Sequence, residues 1–486
     1  MTRFSYAVLL DGDPLEGWQD AALAALDDSG LATRRVTFDK ISEDCERLAP
    51  ELDFIVYFGR SLLRGPILEA PRHGVWSFFL GDTRYHRARD AYFWEAVGNE
   101  PTVGITLQRL THEVGAGDVL YRGTVRAIRT SREATVALAC ATTRDFLLKA
   151  CRDLTAGHQP ESASDAALRT AAGARPGAID RLQHWLYRAR GRISAKLDWL
   201  VRHEQWGVGI VAQPVERLLE TDTCPPAEWI ANDDRERFVA DPAGVVEADG
   251  SIGVFVEDLE QREYRGEISY YRYREGQGFS GPDSVLKEAV HLSYPYLIED
   301  QGRRYCVPEM AAAGEVALYE ICDYPGGWRK VGTLVPEPLL DSTVFQHEDR
   351  WWMFCASRVA SGAYSLVAYF ADQLSGPWQP HPLNPLSTDI ATSRPGGKPF
   401  THNNALYRPA QDCSTTYGGA LAIMRITRLT PEAFSEECVR VVEPNPTSPY
   451  PEGFHTAYGV GGYTLIDGKR RILIPYVLRK ALGFRA

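Results

Sequence analysis

Residues 341–357 read DSTVFQHEDRWWMFCAS: a polar lead, an apolar run, an acidic turn, then a second run rich in aromatics. That order describes a β-hairpin, two half-buried strands joined where polar residues favour a turn. The pattern recurs along the chain. Asp241-Pro242 precedes AGVVEADGSIGVFVE, Ser293-Tyr294-Pro295 precedes YLIEDQGRRYCVPE, and Thr401-His402-Asn403 precedes NALYRPA. Phe454-His455-Thr456 precedes AYGVGGYTLIDGKRRILIPYV, whose Asp467-Gly468 reads as the hairpin turn. Successive leads lie roughly 50 to 60 residues apart, the period of four-stranded blades. Five leads therefore predict an all-β, five-bladed β-propeller over 206–486.

Upstream the texture changes. Residues 1–155 alternate short apolar runs with helical spacing, as in an α/β domain. Strands are predicted at 5–10 (SYAVLL), 35–38, 53–58 (DFIVYF), 74–80 (GVWSFFL), 102–110 and 118–129. Helices are predicted over 18–26, around 66–69 and over 132–154. Residues 156–205 begin as a small, polar linker and continue through 179–203 as an amphipathic helix. Leu182, Trp185, Leu186, Ile193, Leu197, Leu200 and Val201 form its apolar stripe, most simply one face packed on a neighbouring domain. The sharper reading is contact with a membrane surface, which Asp180, Asp198 and Glu204 oppose.

Composition narrows the function classes. A chain of 486 residues suggests two or three domains. Its net charge of −11 argues against a general nucleic-acid or anionic-membrane binder, because counterion release needs a basic face. No run reaches the ~18 apolar residues of a membrane-spanning helix, and the N-terminal apolar run is too short for a signal peptide. A cytoplasmic protein is the expectation. The nine cysteines show no metal-ligand spacing and read as free thiols, so no metal is expected.

Within the α/β part, Asp53-Phe54-Ile55-Val56, the stretch 67–75, Arg87, Trp94, Gly104-Ile105-Thr106 and Gly117-Asp118-Val119-Leu120 carry a resemblance. They resemble the folate-dependent formyltransferases, such as methionyl-tRNA formyltransferase, which implies a Rossmann-like formyltransferase fold for 1–155. That family's chemistry uses an Asn-X-His pair, which polarises the formyl carbonyl, and an Asp, which orients the His. In the gap-free register those positions hold Ser77, Phe79 and Gly115. Phe offers no donor and Gly no side chain, so the domain is read as catalytically degenerate. His73, His86 and His112 lie nearby without the required spacing. No cofactor, formyl-tetrahydrofolate included, is expected.

The propeller half carries a second resemblance. It rests on the stretches 238–242, 266–269, 291–295, 307–309, 341–345, 376–378, 381–385 and 407–413, with Tyr417-Gly418. It is similar to bacterial relatives of the N-terminal domain of glucosamine inositolphosphorylceramide transferase. That domain is itself similar to arabinanase/xylosidase-type five-bladed glycosidases. Blade leads converge on the axial funnel, so polar leads from five blades share a pocket. The candidate catalytic residues are Asp241, Asp341, Glu309 and Asp412. The glycosidase resemblance implies Asp241 as general base and Asp341 as the group tuning the acid, with Glu309 or Asp412 as that acid. Candidate substrate-binding residues are His291, Arg394, His402, Arg408, Gln411, Tyr417 and His455. The arginines and histidines suit a phosphate or sugar carboxylate, hence a phosphorylated or nucleotide-linked glycan. Three functions stay open: a carbohydrate-active enzyme, hydrolase or glycosyl/acyl transferase, using the funnel; a non-catalytic glycan-recognition protein; or an amino-sugar N-formyltransferase with a rebuilt site.

Overall fold

The computed structural model describes residues 3–484 except 60, 87–89, 114–116, 162–168, 170–173, 232–233 and 361. Two compact units emerge: residues 1–193 with 359–363, and residues 194–358 with 364–486.

The first unit is built on one six-stranded sheet. Its strands are β1 (Phe4–Leu9), β2 (Ala32–Phe38), β3 (Phe54–Tyr57), β4 (Val75–Phe79), β5 (Thr102–Arg109) and β6 (Asp118–Arg126), ordered β2-β1-β3-β4-β5-β6. The first four run parallel and β5 and β6 are antiparallel. The helices are α1 (Gly17–Asp28), α2 (Glu43–Leu48), α3 (Phe93–Val97), α4 (Arg132–Thr142), α5 (Phe146–Thr155) and α6 (Ala178–Val201). Alternation along β1 and β3 explains the two layers. Tyr6, Val8, Phe54 and Val56 face a core with α1 and α5, while Ala7, Leu9, Ile55 and Tyr57 face one with Cys45, Ile67 and Leu68. Strands buried on both faces read as continuous apolar runs, which is why SYAVLL and DFIVYF stood out. Short α2 and α3 had no periodicity long enough to announce them. The expected helix 132–154 is broken at Thr143–Asp145, and the expected helix at 66–69 is a single 3₁₀ turn.

The stripe on α6 departs from the reading of a packed face. Ile179, Leu182, Trp185, Leu186, Ile193, Leu197 and Val201 are all exposed, and only Gly191 of the helix is buried.

The second unit holds five sheets. Four blades follow one another in sequence, with inner strands Arg237–Val246, Ser293–Asp300, Leu340–His347 and the broken pair Arg394–Pro395 and Phe400–His402. The fifth blade pairs Ala457–Val460 and Tyr463–Leu473 with Arg202–Val211 and Glu228–Trp229. The first strand of the unit thus closes the ring against the last hairpin, Val208 opposite Asp467. That strand starts at Arg202, inside the span expected to be helix. A second difference concerns Asp467-Gly468. The pair sits mid-strand, and the hairpin turns between Val460 and Tyr463 instead.

Three inner strands share one device at their funnel end. Asp241, Tyr294 and Asp341 adopt left-handed backbone, with φ of 51°, 44° and 51°, each at a break in the ladder register. Non-glycine residues rarely adopt that conformation, and bulges re-aim side chains. Three blades in succession turn the same lead position toward the axis.

Candidate active site

A cavity of about 980 Å³ opens at the funnel end, lined by Asp241, Glu257, His291, Ser293, Glu309, Arg394, Tyr417 and His455 with Trp206, Tyr264 and others. Its floor is a knot of buried charge. Asp241 Oδ1 accepts a hydrogen bond from Thr456 Oγ1 at 3.1 Å and lies 3.6 Å from His455 Nε2. His455 Nδ1 is 2.6 Å from Asp467 Oδ2, and the ring stacks on Trp206 at a centroid distance of 4.0 Å. Asp467 also accepts from the backbone N–H groups of Asp241, His455 and Thr456, so it pins two blades together.

The electrostatics follow from that burial. Loss of water pushes the Asp241 carboxyl from 3.8 up to about 6; His455 pulls it down, while Asp341 and Asp467 push it up. Glu257, on the next strand, hydrogen-bonds Asp241; burial and the Asp241 charge hold its carboxyl well above the usual range. The charge on Asp241 thus disfavours ionisation of Glu257 beside it. Burial disfavours charge on His455, but Asp467 outweighs it and raises its pKa. Burial lowers that of His291, whose Nδ1 accepts from Gly266 N–H at 2.9 Å.

Asp341 lies beneath the cavity surface, 1% exposed and ion-paired to Arg394, whose Nη2 donates at 3.2 Å. Gln411 Nε2 donates to the same carboxylate at 2.9 Å and to Pro395 O at 2.8 Å. The Arg394 guanidinium lies between the Tyr364 and Tyr417 rings. On the second blade, Glu309 accepts from Ser293 Oγ at 2.7 Å and from Ala311 N–H at 2.8 Å.

The structure therefore brings together Asp241, Glu309, His291, Arg394, Tyr417 and His455 at the cavity, with Asp341 and Gln411 directly behind. Three sequence candidates lie elsewhere. Asp412 does not line the cavity; it caps a turn, accepting from Ser414 N–H at 2.8 Å. Arg408 is 2% exposed and gives both nitrogens of its fork to Glu436, which spends its charge inside the blade. His402 stands at the far end of the inner strand, opposite Ala405, beside Asn403. The lead of that blade is Arg394, since Arg394–Pro395 and Phe400–His402 both pair with Ala405–Asp412. Glu257, Asp467 and Trp206 had been missed.

Asp241, His455 and Asp467 place ligand atoms within 4.8 Å of one another, the spacing of a metal site.

In the α/β unit, Ser77 and Phe79 lie on β4, opposite Gln108 and Thr106. Gly115, like Arg87, falls outside the described residues. His86 pairs with Glu100 at 2.9 Å and exposed His112 with Glu69 at 3.1 Å. Burial lowers the His73 pKa.

Residues 210–448 match the family model described as glucosamine inositolphosphorylceramide transferase 1, N-terminal. A relative of that name from Oryza sativa subsp. japonica is 33% identical over 205 residues, covering 41% of this chain and 27% of the relative. The chain thus spans about a quarter of the length of the curated relatives it matches. Among solved structures, a family 117 glycoside hydrolase from Zobellia galactanivorans is similar at 12% identity and a TM-score of 0.37, covering 55% of this chain and 91% of that one. A likely sugar N-formyltransferase from Mycobacterium tuberculosis is similar at 12% identity and a TM-score of 0.29, covering 39% and 87%.

Proposed function

We propose that the propeller funnel binds the sugar of a glycoconjugate and breaks or transfers its glycosidic bond, with Asp241 as general base and Glu309 as the partnering carboxyl. One observation carries this reading: carboxyls from adjoining blades, Asp241 on the first and Glu309 on the second, line one cavity, and Asp241 titrates near 6. A base with that pKa is ionised at neutral pH yet still accepts a proton from an attacking water or hydroxyl. In glycosidic chemistry the second carboxyl protonates the leaving oxygen. Glu257 hydrogen-bonds Asp241 and has its own carboxyl pKa raised, and the Asp341–Arg394 pair fixes the field beside them. Tyr264, exposed at the cavity, offers a ring face for a sugar to stack on. The relatives' name, which contains a sugar and a phosphorylated lipid, supports a glycoconjugate as substrate. A phosphorylated glycan fits less well in the floor than expected, because Arg394 and Arg408 are already committed to Asp341 and Glu436.

The α/β unit is read as a formyltransferase-type fold without its transfer groups, on the sheet order and on Ser77 and Phe79 at the transfer positions.

The test is turnover of a panel of aryl glycosides and sugar phosphates by the full chain and by Asp241→Asn. Turnover by the wild type, cut by about 10²–10⁴-fold in the variant with sugar binding kept, is expected for loss of a general base. Sugar binding without any turnover, unchanged by the substitution, overturns it in favour of a glycan-recognition protein.

A further inference from the structure

The cavity mouth is bordered by a collar of helix ends. The last turn of α6 and a short C-terminal helix, α7 (Tyr476–Leu482), are joined inside the propeller unit. The Trp199 ring stacks on Tyr476 at 4.3 Å, Ile474 N–H donates to Val201 O at 3.0 Å, and Arg479 donates to Trp199 O. Arg202, His203 and Arg479, from these same segments, line the cavity.

This collar turns apolar side chains outward. Leu473 is 73% exposed, Leu197 55%, Trp199 50% and Leu478 45%. Singly exposed leucines need no explanation, but four large apolar residues, a tryptophan among them, exposed on two joined segments beside a binding cavity do. Its charge is opposite to that of the chain. Residues 194–203 and 473–484 hold Lys196, Arg202, Arg479 and Lys480 against Asp198 alone, in a chain of net charge −11. Asp198 is itself neutralised by Arg471 at 3.3 Å and Arg202 at 3.6 Å. Leucine and tryptophan flanked by lysine and arginine is the composition of a surface that sits in a lipid headgroup layer. There apolar burial and attraction to anionic lipid act together.

We infer that this collar docks the protein on an anionic lipid bilayer, with the funnel mouth at the membrane surface. No helix among the described residues is long and apolar enough to cross a membrane. The inference is independent of the sugar reading, since it needs neither Asp241 nor Glu309. The occupant is a bilayer rather than a second protein because the patch combines apolar with mostly cationic groups, Lys196, Arg202, Arg479 and Lys480 against Asp198 and the adjoining Glu204, which match an anionic headgroup layer.

The experiment is co-flotation of the full chain with phosphatidylcholine vesicles, with and without about one-third phosphatidylserine. Binding to the anionic vesicles at least tenfold tighter than to the neutral ones, and weakened by added salt, is expected. Leu197→Glu/Leu473→Glu should reduce it at least tenfold, and Lys480→Glu should weaken it less. Both variants should keep the wild-type melting temperature, because these side chains are exposed. Equal binding by wild type and double variant, or none by the wild type, overturns the inference. So does light scattering that shows a dimer which the double variant dissociates, since that assigns the patch to a second copy. Turnover of a water-soluble glycoside reports separately on the sugar site, so failure of one leaves the other standing.

Discussion

Asp241→Asn should cost activity and add stability, and the size of the second effect follows from burial. The Asp241 carboxyl is pushed from 3.8 to about 6. One pKa unit corresponds to about 1.4 kcal/mol, so keeping this group ionised costs the folded state about 3 kcal/mol once pH exceeds 6. Because the folded pKa is raised, the folded protein binds this proton more tightly than the unfolded chain does. Stability from this group is therefore greatest at low pH and falls as pH rises from about 4 to about 6. Asparagine is neutral and nearly isosteric, and its oxygen can still accept from Thr456. It also loses the attraction to His455 at 3.6 Å, which that net shift already contains. The balance is a variant about 3 kcal/mol more stable than wild type at pH 8, an advantage that disappears by pH 4. Urea unfolding at pH 4, 6 and 8, followed by tryptophan fluorescence, measures this directly. The acid limb of the rate profile, centred near 6 in the wild type, should vanish with the residual activity of the variant. A variant less stable than wild type at pH 8, by a margin that persists at pH 4, would refute the reasoning. Asp241 would then be a structural anchor whose hydrogen bonds outweigh its buried charge.

Two further outcomes test the sorting of candidates. Arg408→Ala leaves Glu436 buried without its partner, so it should destabilise the propeller by about 3–5 kcal/mol in urea melts while sugar affinity, read by calorimetry, stays unchanged. The full chain mixed with 10-formyl-tetrahydrofolate and amino sugars should release no tetrahydrofolate, followed by absorbance. Ser77→Asn/Phe79→His should release none either, because Gly115 still supplies no carboxylate to orient the new histidine.

Blades were legible because each repeats a hairpin with a polar lead, and the α/β sheet because buried parallel strands are uninterrupted apolar runs. The errors have physical causes too. Asp467-Gly468 has the dipeptide that most often turns a hairpin, yet Gly461-Gly462 serves there and leaves Asp467 mid-strand to bind three backbone amides. The fourth blade was shifted because 394–402 contains two prolines and two glycines and reads as a loop, although its ends pair with one strand. A usable signal was present in that strand. Side chains alternate along Ala405–Asp412, so Arg408 and Asp412 share one face and Gln411 takes the other. Only Gln411 reaches Asp341. Glu257 was out of reach, because one acid inside VFVED acquires meaning only from the register that sets it opposite Ala240, next to Asp241.

The pairing pattern separates what holds the propeller from what acts in it. A buried charge is tolerated when a partner neutralises it and its remaining oxygens or protons are hydrogen-bonded. Asp341 with Arg394 and Gln411, and Asp467 with His455, meet that condition, and Arg408 is neutralised by Glu436. Asp241 and Glu257 differ: each has a histidine beside it, His455 at 3.6 Å and His291 at 3.4 Å, yet they also face each other as two acids, and burial raises both carboxyls. A fold has no structural need for that arrangement, since two neutral side chains of similar size fill the space at lower cost. Two facing acids with raised pKa values in a cavity support the proton-transfer role proposed for Asp241. The left-handed backbone at Asp241 adds to this, because strain at the same residue is retained where orientation of the side chain matters.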